Sequence, residues 1–492
     1  MKKFLVIAGI LLLLIISCDD SGGAPEKKFW AIDFRTDTSY SLDAELLSEG
    51  RHCKVWVEKG SGVNEAEAWK VANIYDTDIY PKMMKTFSFA MNLFYEGKIV
   101  AKDAMELADF YGDGDGKLCI LLLKIRDGYQ KGKNDAYIGG YFNPVDFFEY
   151  DPAYPKNKTN ECDMVYVGVH PVKPGTTASN ATIAHEVQHL MNFVTSLVTR
   201  FDGKDLFLMD TWVNEGLSCA AEWVYSGEHP EGRWKWFNND PSGLIAKGNN
   251  FYLWGNRHEE NKNAVLDDYA TVYLFFQWLR LQSGSNAIYK EIITSEDFNF
   301  KAVTKAFDKA VPGQSYSDWG TLLKTWLAAN YINAPSGSYG YKNDPTLKKL
   351  KITYAPEGTK NLQLAPGEGV YSLTTTASTT PSPMNNIKYA GLSTGNPVSD
   401  TNVYTGGALL TYNVNTEKTR KNDGSEDGSK ESGTTTGLVP PSANMVSGGR
   451  ALLGDVPLSG PFPIGAGDMM RNRHVLKGFK MSKIGKVVTI YE

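Results

Sequence analysis

The chain has 492 residues, with 51 Lys+Arg against 56 Asp+Glu, 42% hydrophobic residues and 12% aromatic residues. At roughly 100–200 residues per domain that is chain enough for two to four domains and a sizeable core. The 22% charged fraction excludes a disordered chain, a formal charge of −5 leaves no basic footprint for nucleic acid, and five cysteines are too few for a disulfide-dense mini-protein.

Lys2 and Lys3 precede an apolar run over residues 4–16. Such a run is short of the roughly 20 residues that span a bilayer and has the length of a signal-peptide core. It ends at Ser17-Cys18, where the sequence resembles a bacterial lipoprotein signal. The resemblance implies a signal peptide over residues 1–17 and lipid attachment at Cys18. Residues 18–30 then read as a flexible tether, and the protein as one exported and anchored at the cell envelope, periplasmic or surface-exposed. The other four cysteines permit three disulfide pairings, although Cys119, in the apolar run LCILLLKI, reads equally well as a buried thiol.

Residues 52–57 read as a strand, and residues 64–94 as two helices separated by Pro81, with Met91 and Leu93 on the second. Residues 118–125 form a continuous apolar run of strand length; residues 137–142 and 164–170 also read as strands. Asp113-Gly114-Asp115-Gly116 has part of a calcium-loop pattern, but Tyr111 and Leu121 occupy its first and last acidic positions, so a tight polar turn is the preferred reading. From residue 179 the pattern is helical through about residue 332, with helices at 211–226, 267–283, 302–310 and 316–332. Beyond Pro335, short alternating segments at 350–354, 386–390, 407–412 and 486–491 point to a β-rich part, interrupted by a polar stretch at 413–437 that reads as a mobile loop. The fold class is α+β.

The segment NATIAHEVQHLMNF, residues 180–193, carries the chemistry. On a helix His185 and His189 share one face and can hold one ion, Asn180 can cap the N-terminus, and Glu186 can take a proton from water. A zinc site of this kind needs a third protein ligand. The extended pattern H-E-x-x-H-x-x-G-x-x-H fails, because Asn192 and Thr195 stand where Gly and His are required. A downstream carboxylate is the remaining solution: Glu215 lies in the apolar helix WVNEGLSCAAEWVY, capped by Asp210 or Thr211, with Glu222 as its competitor.

HEVQHLMNF followed by Asn214-Glu215-Gly216-Leu217-Ser218 resembles the gluzincin metallopeptidases, most closely the hyicolysin-type family, with GDGDGKLCILL, GGYFNPVDFF and NECDMVYV as supporting blocks. The resemblance covers residues 50–290 and implies a zincin-like catalytic domain over 31–334: a mixed-sheet subdomain, the active-site helix and a helical subdomain, followed by the β-rich part at 335–492. It implies one zinc ion on His185, His189 and Glu215, Glu186 as base, and a downstream oxyanion stabiliser, for which Tyr269 is the candidate and Tyr273 its rival. Many gluzincins carry an acidic residue four positions after the ligand Glu; here that position is Cys219, which leaves Asp210 or Glu222 to support a histidine. His229 and His258 read as surface residues, either of which could instead line the cleft. The function expected is envelope endopeptidase acting on protein or peptide, its substrate paired with the strand at 164–170. The alternative is a surface ligand-binding lipoprotein on a degenerate protease fold.

Overall fold

A computed structural model describes residues 24–131, 137–150, 152, 158–202, 206–248, 251–258, 260–261, 263–356, 364–417 and 488–490. The leader, Cys18 and most of the polar stretch, residues 418–437, lie outside the described residues. Among the described residues no helix is long and apolar enough to cross a membrane.

The N-terminal half is built on a six-stranded mixed sheet. Its strands are β1 (Glu26–Asp33), β2 (Thr38–Glu49), β3 (Cys53–Glu58), β6 (Leu118–Leu123), β7 (Gly140–Tyr141) and β8 (Met164–Gly168), in the order β1-β2-β3-β6-β8-β7. β1, β2 and β3 are antiparallel, β3-β6-β8 run parallel, and β7 closes the edge antiparallel to β8. Every residue of β6 and β8 is buried, the outcome expected of unbroken apolar runs in parallel strands covered on both faces. Two sequence expectations change here. Residues 26–30 of the presumed tether already belong to β1. The strand at 164–170 is not the sheet edge as expected for substrate pairing: it lies between β6 and β7, which pairs with Tyr166 and Val167, and β7 is the edge strand.

Between β3 and β6 the chain forms α1 (Glu65–Ile74), a π-helical turn over residues 75–79 and α2 (Tyr80–Phe87) in one continuous run. The π-helical turn just ahead of Pro81 separates α1 from α2, so the two expected helices are present, but with no intervening loop before the second. Leu93 belongs not to that helix but to β4 (Asn92–Tyr95), which forms a hairpin with β5 (Lys98–Ala101) ahead of α3 (Ala104–Tyr111).

The helical half contains α4 (Thr177–Thr199), α5 (Thr211–Ser226), α6 (Glu231–Asn239), α7 (Ala264–Ser283), α8 (Ala287–Ile293), α9 (Phe300–Ala310) and α10 (Trp319–Ile332). α4 starts one turn earlier than its sequence signals suggest: Thr176 accepts from the Ser179 N–H as N-cap, while Asn180 lies inside the helix and donates to the Tyr225 hydroxyl at 3.1 Å. α4 is buried along most of its length, which matches its apolar residues on several arcs.

The C-terminal part is β-rich: β9 (Gly369–Leu373), β10 (Ser378–Thr379), β11 (Ile387–Ser393), β12 (Asn396–Ser399), β13 (Asn402–Val403), β14 (Ala408–Asn413) and β15 (Val488–Ile490). Four of these make the antiparallel sheet β12-β11-β14-β9, and β15 returns to pair with β4. Residues 350–354 are not a strand. The region is fastened to the helical half by buried bonds: the Tyr371 hydroxyl donates to Leu327 O at 2.8 Å, and Arg257 forms a two-pronged pair with the fully buried Glu368, each contact 2.7 Å. Cys53, Cys119, Cys162 and Cys219 are all buried and free.

Candidate metal centre

α4 and α5 pack side by side and bring two imidazoles and two carboxylates to one buried point. The His185 and His189 rings lie 4.8 Å apart at 73°, as expected of residues one turn apart on one face. Glu215 Oε2 lies 3.4 Å from His185 Nε2 and 3.6 Å from His189 Nε2. Those separations exceed good hydrogen bonds. They match two donor atoms held at 2.0–2.2 Å by one tetrahedral ion, which are roughly 3.3–3.6 Å apart.

The donors also lack other partners. His185 Nε2, Glu215 Oε2 and both oxygens of Glu186 are buried with no hydrogen bond in the protein. A buried carboxylate or imidazole in that condition is costly unless a cation or water completes it. Burial pushes Glu215 up, yet the two imidazoles outweigh it and hold its carboxyl down at about 2. Burial pushes His185 down, yet Glu215 and Glu222 outweigh it and hold its pKa up at about 9. The three groups thus favour positive charge at their centre, and their nitrogen and oxygen donors suit a borderline cation such as zinc. Glu186 differs: burial, its largest influence, raises its pKa to about 7.

Each histidine is oriented from behind. His185 Nδ1 meets Glu222 Oε1 at 2.9 Å, and the same oxygen accepts from Arg233 Nη2 at 2.7 Å, all three residues being almost wholly buried. His189 Nδ1 meets the Ser218 hydroxyl at 3.0 Å, which also bonds Gln188 Oε1. A fixed partner on Nδ1 leaves Nε2 as the ligand nitrogen. His185, Cys219 and Glu222 form a second cluster of donors. It is already satisfied, because Glu222 is engaged by Arg233 and burial keeps the Cys219 thiol protonated. Glu222 therefore supports His185 rather than competing with Glu215.

Glu215 reaches the histidines because α5 and α7 approach closely beside it. A Cβ on Gly216 would lie 2.1 Å from the Phe276 ring, so a larger residue would wedge the two helices apart. Tyr269, on α7, stands at the site, its ring centroid 6.4 Å from that of His185 and under the Arg233 guanidinium at 4.8 Å. Tyr273 is engaged elsewhere: its hydroxyl meets His229 Nδ1 at 2.6 Å, and His229 Nε2 meets Asp344 at 3.1 Å. His229 is accordingly packed inside, not on the surface, and His258 faces Asp268 at 3.3 Å. Asp210 occupies the N-cap position of α5, and Glu222, not Asp210, meets a site histidine.

No family model matches the chain. Over 351 residues it is 27% identical to the neutral metalloprotease ShpI of Staphylococcus hyicus, the match covering 68% of this chain and 70% of that protein. The chain is thus similar to a metalloprotease over about two thirds of its length. Its His185–His189–Glu215 cluster could hold a metal ion, which fits that similarity.

The sequence did not reveal Arg233, Ser218 or Gln188. Arg233 carried a weak signal, as a cation among the aromatic residues of EGRWKWF; Ser218 and Gln188 carried none, being ordinary polar residues on helix faces.

Proposed function

We propose that the protein is a zinc-dependent endopeptidase of the cell envelope, with its peptidase unit over residues 31–334 and a lipid anchor at Cys18. The observation that carries the chemistry is the convergence of His185, His189 and Glu215 donors, with His185 Nε2 and Glu215 Oε2 buried and unpartnered and the unpartnered Glu186 carboxylate beside them. The lipoprotein-like leader supports export, and the resemblance to a neutral metalloprotease supports a protein or peptide substrate.

His185 Nε2, His189 Nε2 and Glu215 would hold one zinc ion. When bound, the ion supplies Lewis acidity that makes water more acidic and polarises a carbonyl. Glu186 receives the proton of the attacking water on a carboxylate oxygen and returns it to the departing amide nitrogen. Its pKa near 7 suits it to both tasks around neutral pH. Tyr269, whose ring lies 6.4 Å from that of His185, would donate its phenolic hydrogen to the oxyanion that develops on the substrate. The edge strand β7 offers unpaired backbone to an extended peptide, a mode that binds main chain and reads little sequence. A degenerate binding protein would have no reason to keep four uncompensated donors in its core.

Glu186→Gln tests this reading. It is expected to abolish casein hydrolysis while the variant retains one zinc per chain by metal analysis, whereas His189→Ala loses the metal. Casein cleavage by Glu186→Gln at the wild-type rate would overturn the mechanism.

A further inference from the structure

Tyr269, proposed above to serve the oxyanion, is held by a segment that belongs to neither α4 nor α5. The residue lies near the start of α7 and is 1% exposed. The Trp254 ring meets it edge-on, with centroids 4.9 Å apart at 90°. The segment that carries Trp254 also grips the neighbour of Tyr269 in sequence. Gly255 N–H donates to Asp268 Oδ2 at 2.9 Å, and His258 Nε2 lies 3.3 Å from that oxygen. The position of Tyr269 therefore depends on where residues 251–258 lie.

Residues 251–258 form no helix or strand, and the β-rich part fixes them at two points, one on each side of Trp254. On one side the Tyr252 hydroxyl donates to Thr416 O at 3.0 Å, and a Cβ on Gly367 would lie 2.4 Å from Tyr252 Cβ, so backbone packs directly on this residue. On the other side Arg257 donates through Nε and Nη2 to the two oxygens of Glu368, each at 2.7 Å, and Ala365 N–H donates to Oε2 at 2.8 Å. Glu368 is fully buried. A Cβ on Gly248 would lie 2.6 Å from Glu368 Oε2 and 2.9 Å from Arg257 Nη2, so only glycine lets the chain close over the pair. A two-pronged bond fixes orientation as well as distance, and a carboxylate so deeply buried is costly unless paired in this way.

We propose that Glu368 and Arg257 are positioning residues of the peptidase centre: through residues 251–258 and Trp254, the β-rich part sets where the Tyr269 hydroxyl lies. A pair whose task was only to join the β-rich part to the helices would serve anywhere between them. This one, together with Tyr252, brackets the residue that touches Tyr269. The inference rests on the reading of Tyr269 as oxyanion donor and adds what holds that donor in place. Glu368 acts through Arg257 and not on the metal ligands, so its loss should reach turnover and leave zinc binding alone.

The test is a double-mutant cycle on the full, zinc-loaded chain, with kcat and KM read on labelled casein and zinc counted by mass spectrometry. Glu368→Gln keeps the shape of the side chain and removes its charge. It is expected to lower kcat at least about tenfold, toward the ~10²-fold that a misplacement of about 1 Å can cost, with KM and zinc content unchanged. In a Tyr269→Phe background no hydroxyl is left to misplace, and the same substitution should change kcat by less than about twofold. Trp254→Leu, which leaves the ion pair intact, should repeat both results, and Trp254→Phe, which keeps an aromatic edge, should recover most of the loss. Arg257→Lys keeps the charge without the two-pronged grip; it should give the same pattern more weakly, and it decides the question where Glu368→Gln fails to fold. Equal factors in the two backgrounds, or wild-type kcat in the folded charge-pair variants, would overturn the proposal and leave Tyr269 as oxyanion donor. An unchanged kcat in Tyr269→Phe alone would instead remove Tyr269 from that role, and this inference with it.

Discussion

Arg233→Met is the sharpest test of how the metal centre is built. Arg233 is 2% exposed and Glu222 is 1% exposed, and their contact is 2.7 Å. Burial alone would raise the Glu222 carboxyl, yet Arg233, helped by His185, holds it below its usual range. Methionine fills similar space without charge and leaves Glu222 as a buried carboxylate facing His185 alone. Removing one partner of a buried pair costs about 3–5 kcal/mol. The loss should also reach the metal, because Glu222 then favours a proton on His185, which competes with the ion. Loss of an outer support lowers metal affinity about 10–100-fold, or about 1.4–2.7 kcal/mol. Urea unfolding of metal-free protein and competitive zinc titration measure the two effects separately. Adding Glu222→Gln should recover stability, because no buried charge is then left alone. If Arg233→Met changes stability by less than about 0.5 kcal/mol, the variation usual at neutral surface sites, Arg233 is not the counter-charge described here.

Three further outcomes follow from the same geometry. Gly216→Ala, whose Cβ would press on the Phe276 ring at 2.1 Å, should destabilise by about 1–3 kcal/mol and weaken zinc by displacing Glu215; thermal melts and zinc titration check this. Tyr269→Phe should lower kcat by about 10²–10³ with KM and zinc content little changed, if its hydroxyl serves the oxyanion, and equal kcat would remove it from that role. Asp146 is buried against Tyr166 and Asn160, and burial raises its pKa to about 7 from an ordinary 3.8. A raised carboxyl contributes stability in full below pH 4 and loses it as pH climbs through 7, by up to about 4 kcal/mol at 1.36 kcal/mol per unit. Asp146→Asn should remove that part of the slope between about pH 4 and 7 in denaturant unfolding. An unchanged slope would assign it to other groups, such as Asp267, also raised to about 7 by burial.

What could be read in the sequence was what local spacing encodes. His185 and His189 announce a shared face because four residues make about one turn, and the unbroken runs of β6 and β8 announce burial on both faces. β2 was missed because half of it is exposed and its alternation is diluted by Ser, Glu and Asp along the solvent face. The β4–β5 hairpin hid behind Met91 and Leu93, read as a continuation of the preceding helix, although its Glu96-Gly97 turn, with φ of 49° and 78°, was a turn signal in plain view. Cap positions misled at α4, where Asn180 has the right chemistry but Thr176 lies where the chain enters the helix. Arg233 was invisible for a different reason: it acts on a partner set by tertiary packing, and no spacing rule connects α6 to α5.

Cys219 stands where the family resemblance leads one to expect a carboxylate behind His185, and helix geometry gives that histidine another partner. At 100° per residue, a position seven after Glu215 lies within about 20° of its azimuth, and a position four after lies about 40° away on the other side. Glu222 and Cys219 therefore flank the same line along α5. Side chains on a helix lean toward its N-terminus, so a glutamate one turn further on projects back over the turn that Cys219 occupies. The result is the observed 2.9 Å contact between Glu222 Oε1 and His185 Nδ1. A longer reach makes a looser carboxylate, and Arg233 from α6 meets that need by gripping the same oxygen. Cys219→Asp with Glu222→Gln should then support His185 from the nearer turn without Arg233's counter-charge directly on it. Zinc affinity within tenfold of wild type in that double variant would establish that the position of the charge, not the identity of its residue, orients the histidine. A loss beyond a hundredfold would show that the Arg233 grip on Glu222 is indispensable.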